Sequence, residues 1–182
     1  MSELDKILNQ YISFEARVGK RITSLCAPYC SACTNICCKP DFCRETNDSP
    51  FLSLIREKFS PSVTYDREQG WITPTGCALL VGRPPVCYEF FCNNIIMGQA
   101  GDMHVQMISL LGMLISYIGK NALAHHHLVE IMTAEKLHKV KFSRFERRLA
   151  EAEIGFAIAE SFYENNAISD SDIWFLRRLF FS

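Results

Sequence analysis

The chain has 182 residues, 48% of them hydrophobic, and a formal net charge of −1. That is enough apolar material for one ordinary core, and no stretch reads as a flexible linker, so residues 1–182 are expected to form a single domain. The near-neutral balance argues against a dedicated nucleic-acid binder, because binding by counterion release needs a concentrated basic surface.

The first residues, MSELDKILNQYISF, place Glu3 and Asp5 where a secretory leader would carry basic residues, and they space their apolar positions as a helix does. A cytoplasmic, reducing location is therefore expected. Leu4, Leu8, Tyr11, Val18, Ile22 and Leu25 recur at alternating steps of four and three, with polar Glu15 holding one place in the register. This stripe predicts an N-terminal helix over residues 1–25. Ser2 with Asp5 supplies a capping-box start, and Pro28 is expected to end the helix before the cysteines begin.

Residues 26–92 hold all nine cysteines: CAPYCSACTNICCKPDFC at 26–43, VCYEFFC at 86–92, and Cys77 between them. Thiolates two to four residues apart can wrap a loop around a soft metal ion or an iron–sulfur cluster. Cys30 and Cys33 have the spacing of a metal knuckle, and Cys37 and Cys38 extend it. Side chains of adjacent residues point in different directions, so that pair is expected to serve different partners. Cys87 and Cys92 add thiols from the second group. Disulfides fit poorly: the count is odd, a vicinal pair closes a strained ring, and the expected compartment is reducing. For Cys26 and Cys43, at the rims of the first group, ligation and simple packing as buried thiols both stay open. Clustered thiolates need their charge offset, and Arg83, followed by Pro84 and Pro85, is the expected donor beside them. Between the groups, Pro50 and Pro61 bracket a short helical turn, while VTY and WIT flank DREQG as a small hairpin that returns the chain to Cys77.

CSACTNICC, GCALL and RPPVCYEFFC together resemble the YkgJ-like cysteine-cluster family of zinc- or iron-chelating proteins, whose signature is CxxCxxxCC with a later RPxxCxxFxC element. The likeness covers roughly residues 30–92. It implies metal chelation by Cys30, Cys33, Cys37, Cys38, Cys77, Cys87 and Cys92, with Arg83 and Pro84 matching the family's Arg-Pro pair. Members commonly carry one more cysteine between the positions of Cys77 and Arg83, which this chain lacks, so the ligand set stays open there. The family is largely without an assigned reaction.

The remainder, residues 93–182, reads as helices. Met103–Ile118 is apolar nearly all round but falls short of the roughly 20 residues a membrane span needs, and a buried central helix is expected. Asn121 is expected to start a helix through about Val140. On it His125, His126 and His127 would fan apart and could not share one ion. Glu135 and His138 match the E-x-x-H element of di-iron bundles, which use that element twice, whereas this chain has it once. Ser143 with Glu146 predicts a cap for a helix reaching about Tyr163, and Arg144, Arg147 and Arg148, answered by Glu146, Glu151 and Glu153, read as a solvated face. Ser169 with Asp172 predicts the cap of a last helix bearing Trp174, Phe175, Leu176, Leu179, Phe180 and Phe181. It is expected to dock on the bundle or else to contact a second copy or a protein partner.

The expected fold is mainly α, a helical bundle with an irregular cysteine-rich metal-binding module near its N-terminus. The expected function is metal binding, with zinc or an iron–sulfur cluster as cofactor, in a structural or metal-handling role. Zinc and clusters accept the same thiolate sets, so spacing does not choose between them. A second reading is an iron–sulfur enzyme or electron carrier, since flagellin lysine methylases look related through their own cysteine cluster. A third is a thiol redox sensor in which Cys37, Cys38 or Cys43 carries a depressed pKa beside Lys39 and Arg44. Neither a G-x-S-x-G element nor a glycine-rich phosphate loop is present.

Overall fold

The computed structural model describes residues 2–31, 39–73 and 76–181. Helix α1 (Glu3–Cys30) opens on the expected box: the Asp5 amide donates to Ser2 Oγ at 3.1 Å, and the Ser2 amide donates to the Asp5 carboxylate at 2.9 Å. Its stripe buries Leu4, Leu8, Tyr11 and Val18, and Ile7 and Phe14 widen it. The helix does not stop before Pro28. A proline in the last turn removes only the one amide that would reach back to Ser24, and the Ser31 amide still closes on the Ala27 carbonyl at 3.0 Å. Cys26 and Cys30, four residues apart, therefore share one helix face.

Three short helices follow: α2 (Pro40–Cys43), α3 (Glu45–Asp48) and α4 (Pro50–Phe59). The last is the predicted turn between prolines, capped by Ser49 Oγ on the Leu52 amide and burying Phe51, Leu52 and Ile55. The hairpin expected over 63–73 is displaced. Its tip closes only through Asp66 and Gly70, because the Asp66 carboxylate accepts the Glu68 and Gln69 amides at 2.7 Å and tightens the loop. The ladder forms one step later, where β1 (Ile72–Thr73) pairs antiparallel with β2 (Gly76–Cys77) and sets Ile72 opposite Cys77.

Helices α5 (Val86–Glu89) and α6 (Asn93–Met97) lead into α7 (Asp102–Gly119), the predicted central helix, which buries Met107, Ile108, Leu111, Leu114, Ile115 and Ile118. It packs against α1 and α5. The contact with α5 is close, for a Cβ on Gly112 would lie 2.4 Å from the Tyr88 carbonyl oxygen. Gly112→Ala should push α5 away and cost about 1–3 kcal/mol, read as a lowered urea midpoint. Gly155→Ala, whose Cβ would meet only leucine methyls at 3.3 Å, should cost less. Equal midpoints for the two variants would refute the close contact.

The helix expected from Asn121 to Val140 is not formed. Asn121 and Ala124 both take φ of 53°, and Leu123 and His126 bond reciprocally, so the chain turns sharply into a 3₁₀ turn (Leu128–Glu130) and then α8 (Ala134–Leu137). His125 and His126 are exposed, as are Glu135 and His138, so the E-x-x-H pair does not face inward and the di-iron comparison fails. His127 is mostly buried instead. Its Nε2–H donates to the Ser116 carbonyl at 2.8 Å while Nδ1 accepts the Val129 amide at 3.2 Å. A second ring proton would destroy that acceptor, and burial pushes the His127 pKa below its ordinary 6.5. The unfolded chain then takes up the proton first, so His127 contributes full stability above pH 6.5 and loses it as the pH falls below. Denaturation midpoints measured on either side of that value should show the drop in wild type and a smaller one in His127→Gln.

Helix α9 (Phe142–Asn165) packs along α7 and α1, and α10 (Asp170–Phe181) lies on α9. Helix α9 begins before the expected Ser143 cap, with Lys141 at its N-cap and no side-chain cap; the Phe142 amide meets the Glu3 carboxylate at 3.5 Å instead. Asn166, at φ 51°, ends it in the left-handed conformation. Ser169 and Asp172 form the predicted start of α10, with the Asp172 amide donating to Ser169 Oγ at 3.2 Å. Leu176 and Leu179 dock in the core while Trp174 stays 61% exposed. Ion pairs Arg17–Glu153 and Arg21–Glu160 join α1 to α9 across the surface. Arg144 donates to the Asn121 carbonyl and Arg148 lies over the Tyr117 ring, so two members of the arginine run serve the bundle. The fold is thus a mainly α bundle, and among the described residues no helix is long and apolar enough to cross a membrane.

Candidate metal centre

The last turns of α1 and the segment running from α5 into α6 form two walls of a cleft of about 450 Å³. Cys26 and Cys30 stand on the first wall, below Ile22. Cys87 and Cys92 stand on the second, with Phe90 and Phe91 between them in sequence. The first pair faces the cleft because four residues bring a helix back to nearly the same face. This is why the length of α1 matters: a helix ending before Pro28 would not carry Cys30.

The second wall is held by local chemistry. Pro84 and Pro85 fix the entry to α5, whose first bonds run from the Cys87 amide to the Pro84 carbonyl and from the Tyr88 amide to the Pro85 carbonyl, both at 2.9 Å. The Ile96 amide donates to the Cys92 carbonyl at 3.1 Å and opens α6. Tyr29, in the last turn of α1, donates its hydroxyl to the Gly98 carbonyl, tying the two walls at their far end. A Cβ on Gly98 would lie 2.1 Å from the Tyr29 ring.

Further back along α1 sits a fully buried carboxylate. Glu15, which occupies a stripe position of α1, accepts the Gly82 amide at 2.9 Å, the Arg83 amide at 3.0 Å and the Tyr88 hydroxyl at 2.7 Å. Burial dominates its titration and pushes it up to about 7, against the pull of those three donors and of the Arg83 charge. Arg83 donates Nε–H to the Leu79 carbonyl at 2.6 Å. Burial works against its charge, yet Tyr88, Cys77, Glu15 and Cys87 hold its pKa above the usual arginine value. Cys77 and Cys87 are thus both within electrostatic reach of its guanidinium.

The expected site residues divide accordingly. Cys30, Cys87 and Cys92 are brought to one cleft, and Cys26, left open by the sequence, joins them. Burial first, then the neighbouring Cys30 and Cys92, push the Cys26 thiol up to about 11. Cys33, Cys37 and Cys38 lie outside the described residues. Cys77 does not line this cleft; it packs against Cys43, Leu79 and Trp71 in a small apolar cluster, where the Trp71 ring N–H donates to the Cys43 carbonyl at 2.9 Å. Cys43 is 5% exposed, and burial pushes its thiol up rather than down. That direction is opposite to the depressed pKa expected of Cys43 as a redox thiol: desolvation outweighs the bond from the Trp71 amide, and the neighbouring Cys77 adds to it.

Among the described residues, no three Cys, His, Asp or Glu side chains already converge closely enough to hold an ion. The donor types nonetheless suit a soft metal, since four thiols line opposing walls and the half-buried Arg83 lies in the segment leading to one of them. Sequence reasoning missed Glu15 and Tyr88. The available signal was an acidic residue occupying an apolar place in a long stripe, which marks a buried charge with partners elsewhere in the chain. Compared with family models, curated proteins and solved structures, the chain matches none.

Proposed function

We propose that the protein binds a metal ion or an iron–sulfur cluster through cysteine thiolates at the cleft between α1 and the α5–α6 segment, in a structural or metal-handling role. The observation that carries this reading is the facing of Cys26 and Cys30 on one wall by Cys87 and Cys92 on the other. The resemblance to the cysteine-cluster family names Cys30, Cys87 and Cys92 among its ligands, and Arg83 is the group we assign to offset negative sulfur. When bound, zinc would supply folding energy, and a cluster would supply electron-transfer chemistry. Cys26 holds its proton well above neutral pH, so ligation must displace it, and metal affinity should rise with pH. A cytoplasmic location accompanies this reading, because reduced thiols persist there. Exposed Trp174 on α10 is the group we assign to contact with a second copy or a protein partner.

The size and apolar lining of the cleft favour a second reading, an iron–sulfur enzyme or electron carrier. About 450 Å³ bordered by Phe90, Phe91 and Ile22 is more room than one ion needs. One experiment separates the readings: metal and sulfide content with an absorption spectrum on protein purified without oxygen. A colourless protein with about one or two zinc ions per chain supports the structural or metal-handling role. A brown protein with about four irons and matching sulfide supports the cluster. Protein that carries neither, and takes up neither on reconstitution, sinks both.

A further inference from the structure

We infer that Glu15 is the positioning residue of the cysteine centre, its buried carboxylate fixing the 82–88 segment that carries Arg83 and presents Cys87 to the cleft. This rests on the proposed thiolate site and adds to it a residue from the middle of the helical core. Three donors from that one segment converge on a single side chain 67 to 73 residues away in sequence. Two are the successive amides of Gly82 and Arg83, which point the same way because Gly82 takes φ of +77°, the arrangement in which neighbouring N–H groups form an anion-binding concavity. The third is the hydroxyl of Tyr88. Cys87 is therefore bracketed, with anchors four and five residues before it and one immediately after, all held by the same carboxylate.

A stripe position in a bundle core needs only an apolar side chain, and burying a carboxylate there is costly unless its partners require it. Leucine at this place would fill the core and leave two amides and a hydroxyl without acceptors. Glutamine would nearly preserve the shape but present one acceptor oxygen, and its NH₂ would confront donors.

The test is the rate at which protein, as purified without oxygen, loses its bound metal to EDTA, followed as metal per chain. Loss of an outer-sphere partner costs about 10–100-fold in metal affinity, so Glu15→Gln should release metal at least about tenfold faster than wild type. Leu176→Ala on α10, remote from the cleft and destabilising through its cavity alone, should release metal at the wild-type rate. Tyr88→Phe deletes a single donor and keeps the ring, and it carries the test if Glu15→Gln fails to fold; it too should release metal faster. Wild-type release rates in folded Glu15→Gln, or in Tyr88→Phe, overturn the inference and leave the thiolate site standing. Leu176→Ala releasing metal as fast as Glu15→Gln would reduce Glu15 to general stability and overturn it as well. Wild-type protein that is purified without metal and takes up none on reconstitution would overturn the site itself, and this inference with it.

Discussion

Cys26→Ser is expected to abolish metal binding at the proposed thiolate centre, while Cys43→Ser should leave it unchanged. By sequence the two look alike, each at the rim of the first cysteine group, and each equally a ligand or a packing thiol. The fold separates them. Because α1 continues through Pro28, Cys26 stands one turn before Cys30 and faces the wall that carries Cys92, and both of those thiols act on its titration. Cys43 is enclosed with Trp71 and Leu79 and does not line the cleft. Outer-sphere changes already cost about 10–100-fold in metal affinity, so removing a thiolate ligand should cost more than about 100-fold. Losing the Cys43 sulfur should cost no more than a modest packing penalty, about 1 kcal/mol. Zinc, iron and sulfide per chain, measured on both variants and wild type purified side by side, check this. A full metal complement in Cys26→Ser, or loss in Cys43→Ser, would reverse the assignment.

The parts of the fold written in periodicity were legible in the sequence. The α1 stripe, the apolar run that became α7 and the Ser169–Asp172 cap of α10 each depend on residues a few places apart, and local spacing determines them. The failures share a cause: a local rule was overridden by something distant or by a second local device. Pro28 was read as a stop, yet a proline in a last turn forfeits one bond and the helix tolerates it. The run from Asn121 to Val140 contains helix formers, but left-handed turns at Asn121 and Ala124 and the two-way bonding of His127 divide it. The candidate site was legible as chemistry and not as geometry. Cysteine spacing pointed to Cys30, Cys33, Cys37, Cys38, Cys87 and Cys92, whereas the joining of Cys26 to Cys30, Cys87 and Cys92 at one cleft, and the packing of Cys77 against Cys43, depend on how α1 and the 77–92 segment pack. Glu15 was visible only as a polar residue in an apolar register, because its partners lie far along the chain.

That same buried carboxylate yields the largest expected loss of stability. Glu15→Ala removes the acceptor of three buried donors and leaves a void between α1 and the turn before α5. Each stranded donor costs about 1–3 kcal/mol if it finds no water, and breaking a buried charged arrangement typically costs about 3–5 kcal/mol in total. Set against the roughly 5–15 kcal/mol by which domains are stable, that would leave the variant marginal or unfolded. Urea or thermal unfolding of metal-free protein reads it, and a shift below about 1 kcal/mol would mean that water or rearrangement satisfies the donors. The pH dependence has a definite sign. Burial raises Glu15 from 4.5 to about 7, so the folded protein holds this proton more tightly than the unfolded chain does. Its contribution is fully present below pH 4.5 and is lost as the pH rises through about 7. His127 acts in the opposite sense, losing stability as the pH falls below 6.5, so the two groups oppose each other around neutrality. Glu15→Gln, having no proton to lose, should flatten the alkaline side of the stability profile and leave the acidic side set by His127.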